Sequence, residues 1–141
     1  MTEHVTGSTG DAPAPSQLDH AALVVASLDR ATAFYSRLLD LTVLDRVPLS
    51  DHTIQYLAAG QGVRLELISY LEPVSAAAPR SPDVPEPHHL AWRVADPAQY
   101  QQRALDLGAI VVSPPVCMPE LGQTSLLIRD LDGYLVELVK R

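Results

Sequence analysis

Two histidines and two glutamates stand at matching points in two halves of this chain. His20 opens the apolar run "HAALVV" and His89 opens "HLAWRV"; Glu66 lies mid-way along "VRLELIS" and Glu137 mid-way along "YLVELVK". The separations nearly agree: 46 residues from His20 to Glu66 and 48 from His89 to Glu137. A carboxylate with apolar neighbours on both sides is costly to desolvate unless a cation meets it. Two imidazoles and two carboxylates suit a divalent first-row metal ion (Zn, Ni, Co, Mn or Fe). If that ion is six-coordinate, two positions stay open for water or for a substrate with two adjacent oxygens, which is the arrangement of a Lewis-acid catalyst. Each residue alone has a plainer explanation, a solvated strand-end histidine or an edge glutamate facing water. The symmetric quartet favours the metal.

The elements that must position these four residues also repeat. "LDHAALVVASLDRATAFYSRLLDLTVL" (18–44) and "HHLAWRVADPAQYQQRALDLGAIVV" (88–112) each read as a short strand, a capped helix and a second strand. Ser27 is the expected first N-cap, followed by an apolar stripe of Ala31, Phe34, Tyr35 and Leu38. Asp96 caps the second helix, Pro97 takes its first position, and Tyr100, Ala104 and Leu107 form its stripe before a stop at Gly108. Three strands follow each helix, near 42–47, 53–58 and 63–69, then near 109–112, 124–128 and 134–139. "AAGQG" and "DLDG" are turns before each last strand. The expected fold class is α+β. Two βαβββ modules (about 17–71 and 88–141) form a curved, mostly antiparallel eight-stranded sheet of half-barrels around the metal, with helices outside. They belong to one domain, 17–141. The proline-rich segment 72–87 reads as a linker and 1–16 as a disordered tail.

Strand alternation places His20, Ala22 and Val24 on one face, and His89, Ala91 and Arg93 likewise, opposite the bulky apolar set that meets the helices. Arg64 and Arg93 share faces with the ligands Glu66 and His89, two residues away. An arginine aimed into a cavity needs an anion, so both are candidate substrate-binding residues, Arg93 above all. His88 falls on the opposite face from His89 and receives no metal role. His4 and His52 read as solvated tail or loop residues, and Cys117, in "SPPVCMPELG", as a loop thiol near the mouth of the site.

The remaining composition excludes more than it assigns. The net charge of −7 disfavours nucleic acid and anionic membranes as partners. No apolar run approaches the roughly 20 residues that span a bilayer, and the first residues lack the apolar core of a secretory signal. One cysteine permits no internal disulfide, which suits a reducing cytoplasm.

With "LDHAALVVASLDRATAFYSRLLDL", "VRLELISY", "HHLAWRVAD" and "RDLDGYLVELVK" in view, the chain from Leu18 to Lys140 resembles the vicinal oxygen chelate superfamily. That superfamily includes glyoxalase I, methylmalonyl-CoA epimerase, extradiol dioxygenases, and fosfomycin and bleomycin resistance proteins. The resemblance implies that His20, Glu66, His89 and Glu137 are the four metal ligands. It also implies a site built either within one chain or across a dimer that exchanges modules, and a homodimer is expected. The chain departs from each named member. Val24 stands where glutathione-dependent glyoxalases usually carry arginine. Glu66 stands where the epimerase usually has glutamine, and "DRVPLSDHTIQY" holds no glutamate base. The expected function is a metal-dependent, glyoxalase-like lyase or isomerase acting on a small chelating substrate. Glu137 is the first choice and Glu66 the second for moving the proton. The alternatives are a drug- or metabolite-binding resistance protein without chemistry and an Fe(II)-dependent ring-cleaving dioxygenase.

Overall fold

A strand, a helix and three more strands succeed one another twice along the chain. The computed structural model describes residues 14–72 and 85–141, so nearly all of the expected tail and linker lies outside the described residues. The first module comprises β1 (His20–Val24), α1 (Leu28–Leu39), β2 (Val43–Pro48), β3 (His52–Ala58) and β4 (Arg64–Tyr70). The second comprises β5 (Leu90–Arg93), α2 (Ala98–Asp106), β6 (Ile110–Met118), a 3-10 turn at Pro119–Leu121, β7 (Gln123–Arg129) and β8 (Leu135–Lys140). This is the expected α+β arrangement of two βαβββ half-barrels. The strands form two separate four-stranded sheets, ordered β1-β4-β3-β2 and β5-β8-β7-β6, which do not close on each other. β1 runs parallel to β4 and β5 to β8; all other pairs are antiparallel. This order sets each histidine-bearing strand directly beside the strand that carries a glutamate.

The helices start and stop where local chemistry dictates. Ser27 Oγ accepts the Arg30 N–H at 3.3 Å, and Ala31, Phe34, Tyr35 and Leu38 are buried as one stripe. Burial of side chains as large as Phe34 and Leu38 stabilises by about 1.5–3 kcal/mol each. Pro97 rather than Asp96 takes the N-cap position of α2, its backbone already helical, while Asp96 one residue earlier accepts the Ala98 N–H at 3.1 Å and so still satisfies a first-turn donor. Gly108 ends that helix in the left-handed region at φ 95°, where an added Cβ would also meet Leu131 at 3.0 Å.

Both outer strands are irregular, for identifiable reasons. β2 slips register between Val43 and Arg46. The Gln55 amide, 3% exposed, repairs the slip by donating to the Leu44, Asp45 and Tyr56 carbonyls and accepting from Arg46 Nε. β6 continues through Pro114 and Pro115 to Met118, beyond the four residues expected, and its register shifts on both sides of Ser113. An edge strand tolerates proline because no neighbour needs its missing N–H. Cys117 is therefore an exposed strand thiol opposite Thr124 rather than a loop residue. His52 likewise opens β3, its ring 5.2 Å from that of Tyr70 and its Nδ1 2.6 Å from Asp51.

One buried cluster runs through both modules and includes Phe34 and Leu67 from the first and Leu126 and Leu138 from the second. A polar clasp joins them. The Tyr35 hydroxyl donates to Asp130, the Ala26 N–H to Asp132 at 2.9 Å and the Tyr134 hydroxyl to the Val24 carbonyl at 2.8 Å. The "DLDG" turn thus grips the corner between β1 and α1.

Candidate metal centre

The two modules place their chemistry in the same register. Ala22 pairs with Glu66 across β1 and β4, and His20 lies two residues earlier. Ala91 pairs with Glu137 across β5 and β8, and His89 lies two residues earlier. Period-two alternation then puts each imidazole diagonally beside its carboxylate, on the face away from the helices. The methyl groups of Ala22 and Ala91, directly opposite the glutamates, keep the space over the carboxylates open. Both glutamates are largely withdrawn from water, with 13% and 12% of their side chains exposed.

His20 Nε2 lies 3.6 Å from Glu66 Oε2, and His89 Nε2 lies 2.9 Å from Glu137 Oε2. Two donors held about 2.1 Å from one ion are about 3.0 Å apart at a right angle and about 3.6 Å apart at a 120° angle. Each pair therefore has the spacing of neighbouring ligands on a single ion, and the nitrogen and carboxylate donors suit a first-row divalent metal. The pairs are not brought together within the chain. Among the described residues no group of three or more histidine, cysteine, aspartate or glutamate side chains comes close enough to hold an ion.

The residue just before each histidine holds its other ring nitrogen. Asp19 Oδ2 lies 2.7 Å from His20 Nδ1, and His88 Nδ1 lies 2.7 Å from His89 Nδ1. Such contacts fix the ring orientation of a metal-binding imidazole. Asp19 and then Glu66 raise the His20 pKa above 6.5, so a metal ion must displace a proton there in mildly acidic solution. Strand alternation alone turns His88 to the opposite face and away from the site, yet its ring nitrogen meets that of His89 just ahead of β5. Sequence reasoning also missed Ser125 and Gln123. Ser125 Oγ donates to Glu137 Oε1 at 2.8 Å and Gln123 Nε2 does so at 3.1 Å. The available signal was polar alternation, Gln123 and Ser125 two residues apart at the head of an apolar strand.

The arginines differ. Arg64 Cζ stacks over the Tyr56 ring at 5.2 Å. Arg93 makes no hydrogen bond or ion pair among the described residues, and it borders an inter-module cleft of about 350 Å³ together with Asp40, Thr42, Trp92 and Tyr100. His89 borders a second groove of about 400 Å³ with Ala22, Tyr35, Tyr134 and Leu135.

Two βαβββ half-barrels, each offering a histidine–glutamate pair on its concave face, define a class. Residues 19–125 match the family model of the glyoxalase/bleomycin resistance protein/dioxygenase superfamily, and the chain belongs to that superfamily. None of the curated proteins matches the sequence. Among solved structures, a glyoxalase family protein from Bacillus cereus is similar over 92% of this chain and 98% of its own, with 24% identity and a TM-score of 0.74. The trypanothione-dependent glyoxalase I of Leishmania major is similar over 89% of this chain and 87% of its own, with 22% identity and a TM-score of 0.68. A glyoxalase I variant from Zea mays is similar over 89% of this chain and 44% of its own, with 19% identity and a TM-score of 0.70. At these identities the likeness is one of fold. No helix among the described residues is long and apolar enough to cross a membrane.

Proposed function

We propose that the protein is a metal-dependent lyase or isomerase of the glyoxalase type, working in the cytoplasm on a small substrate with two adjacent oxygens. The observation that carries this reading is the His–Glu pair repeated in register, each with the spacing of neighbouring metal ligands. Because the pairs do not meet within one chain, a complete centre takes His20 and Glu66 from one subunit and His89 and Glu137 from a second copy. The homodimer then holds two centres. A divalent ion bound there supplies Lewis acidity to the substrate oxygens. The chain's own groups do the rest. One of the two carboxylates, Glu137 or Glu66, accepts the proton of the C–H next to the carbonyl. The C–H electron pair becomes the C=C bond of an enediolate as the carbonyl π pair moves onto its oxygen. The same carboxylate returns the proton to the former carbonyl carbon, while the original hydroxyl oxygen gives up its proton to the first oxygen and becomes the new carbonyl.

Complementation between defective subunits tests this reading. His20→Ala and His89→Ala homodimers should each bind little metal. When the two are mixed, unfolded and refolded together, each mixed dimer has one centre with both histidines intact. Random pairing then restores about a quarter of the wild-type metal sites. Metal analysis of the refolded mixture reads this directly. No recovery places all four ligands in one chain. Undiminished metal content in both variants removes the centre altogether and favours a binding protein without chemistry.

Arg93 is the proposed anchor for an anionic oxygen of the substrate, since its guanidinium has no partner among the described residues. Arg93→Lys is expected to keep the fold and the metal but to weaken binding about tenfold, because lysine cannot reproduce the planar fork. Calorimetry on metal-loaded protein, with a panel of small α-hydroxy and α-keto carboxylates, checks it. An unchanged affinity for the best-bound acid would release Arg93 from this role.

A further inference from the structure

The two half-centres are built alike but held differently. Glu137 is clamped. Its Oε1 accepts Ser125 Oγ at 2.8 Å and Gln123 Nε2 at 3.1 Å, and Gln123 Nε2 also lies 3.1 Å from Ser125 Oγ. Ser125 is 3% and Gln123 9% exposed, so water does not compete for these donors. Only Oε2 is left to point outward, 2.9 Å from His89. Glu66 has no such clamp. Tyr56 and Ala22 face it across the neighbouring strands. Its one polar contact among the described residues is His20, at 3.6 Å.

We propose that Ser125 and Gln123 are positioning residues that make Glu137 a permanent metal ligand and leave Glu66 as the ligand that gives way to a substrate oxygen. This rests on the metal-centre reading above. Turning Glu137 away would strand two buried donors, and a buried donor without an acceptor is strongly disfavoured. Turning Glu66 away breaks one contact of 3.6 Å and strands no buried donor among the described residues. The exchangeable carboxylate is also the better placed to take and return a proton, which reverses the order of roles expected from the sequence.

The test needs only a metal ion. Metal-free, full-length dimer is titrated with Co(II) and followed by calorimetry and by visible absorption, which reports ligand geometry. Glu137→Gln is expected to weaken binding on the order of a hundredfold and Glu66→Gln about tenfold or less. Ser125→Ala and Gln123→Met are expected to weaken it ten- to hundredfold and to shift the Co(II) spectrum, as outer ligand-orienting contacts do. Ser125→Thr, which keeps the hydroxyl, restores both. The effect of Ser125→Ala should vanish in a Glu137→Gln background and persist in Glu66→Gln, the mark of direct coupling. A merely structural role for Ser125 would lower the melting temperature of the metal-free form and show no such selectivity. Wild-type affinity in Ser125→Ala, an equal effect in both backgrounds, or a larger loss in Glu66→Gln than in Glu137→Gln overturns the proposal alone. Absence of Co(II) binding in the wild type overturns it together with the proposed function.

Discussion

Alanine in place of His89 is expected to strip the protein of its divalent ion and leave it folded. His89 lies just before β5, with 32% of its side chain exposed, and touches Glu137 and His88 rather than the apolar core. Substitutions at such positions usually change stability by about 0.5 kcal/mol or less. Glu137 keeps its hydrogen bonds to Ser125 and Gln123 when the imidazole goes, so no buried charge is orphaned. The metal, by contrast, loses a direct donor. Changes to outer contacts already cost about ten- to a hundredfold in affinity, so loss of a donor is expected to cost on the order of a hundredfold or more. Calorimetric titration with zinc or nickel, beside thermal melts of the metal-free form, separates the two effects. His52→Ala is the matched control, because its imidazole is engaged with Asp51 and Tyr70 and its metal affinity should not move. Wild-type metal affinity in His89→Ala would remove His89 from the centre.

Most of what positions the quartet is legible from two periodicities. Alternation along "HAALV" and "RLELISY" predicts which side chains leave the core, and the repeat predicts that two such constellations exist. Both are local, and the register Ala22–Glu66 and Ala91–Glu137 follows from them once the strands pair. What escaped depends on partners distant in sequence. β6 runs past the four residues its alternation predicts because Pro114 and Pro115 lie on a sheet edge, where a missing N–H leaves no neighbour unpaired. Ser125 and Gln123 gain meaning only when β7 lies beside β8 and their donors reach Glu137. Why the two sheets stay separate within the chain is not written in periodicity at all. The way the modules dock depends on contacts between them, among them the Tyr35 hydroxyl on Asp130 and the Ala26 N–H on Asp132.

Asp130→Ala is expected to destabilise the protein by about 3 kcal/mol, a fall of roughly 10 °C in melting temperature for a chain of this size. Asp130 is 5% exposed and satisfies three donors: the Tyr35 hydroxyl and the backbone N–H groups of Asp132 and Tyr134, at 3.0 and 2.8 Å. Alanine leaves all three without that acceptor inside the protein. Tyr35→Phe removes one donor and should cost about 1–2 kcal/mol. Asp130→Asn keeps the shape and an acceptor oxygen and should cost less than alanine. The carboxyl adds a pH signature. Burial raises the Asp130 pKa above 3.8, against the opposing bonds from Tyr35 and the Tyr134 and Asp132 amides. A carboxyl raised in the folded state favours folding in its protonated form. That contribution is complete below 3.8 and is lost as pH rises through the folded value. The stability of wild type relative to Asp130→Asn should therefore decline as pH climbs from below 3.8 through that window. Urea unfolding of both forms across the window, in chelator so that no metal contributes, measures it. A wild-type advantage that stays constant or grows with pH would mean that burial does not raise the Asp130 carboxyl above its ordinary value.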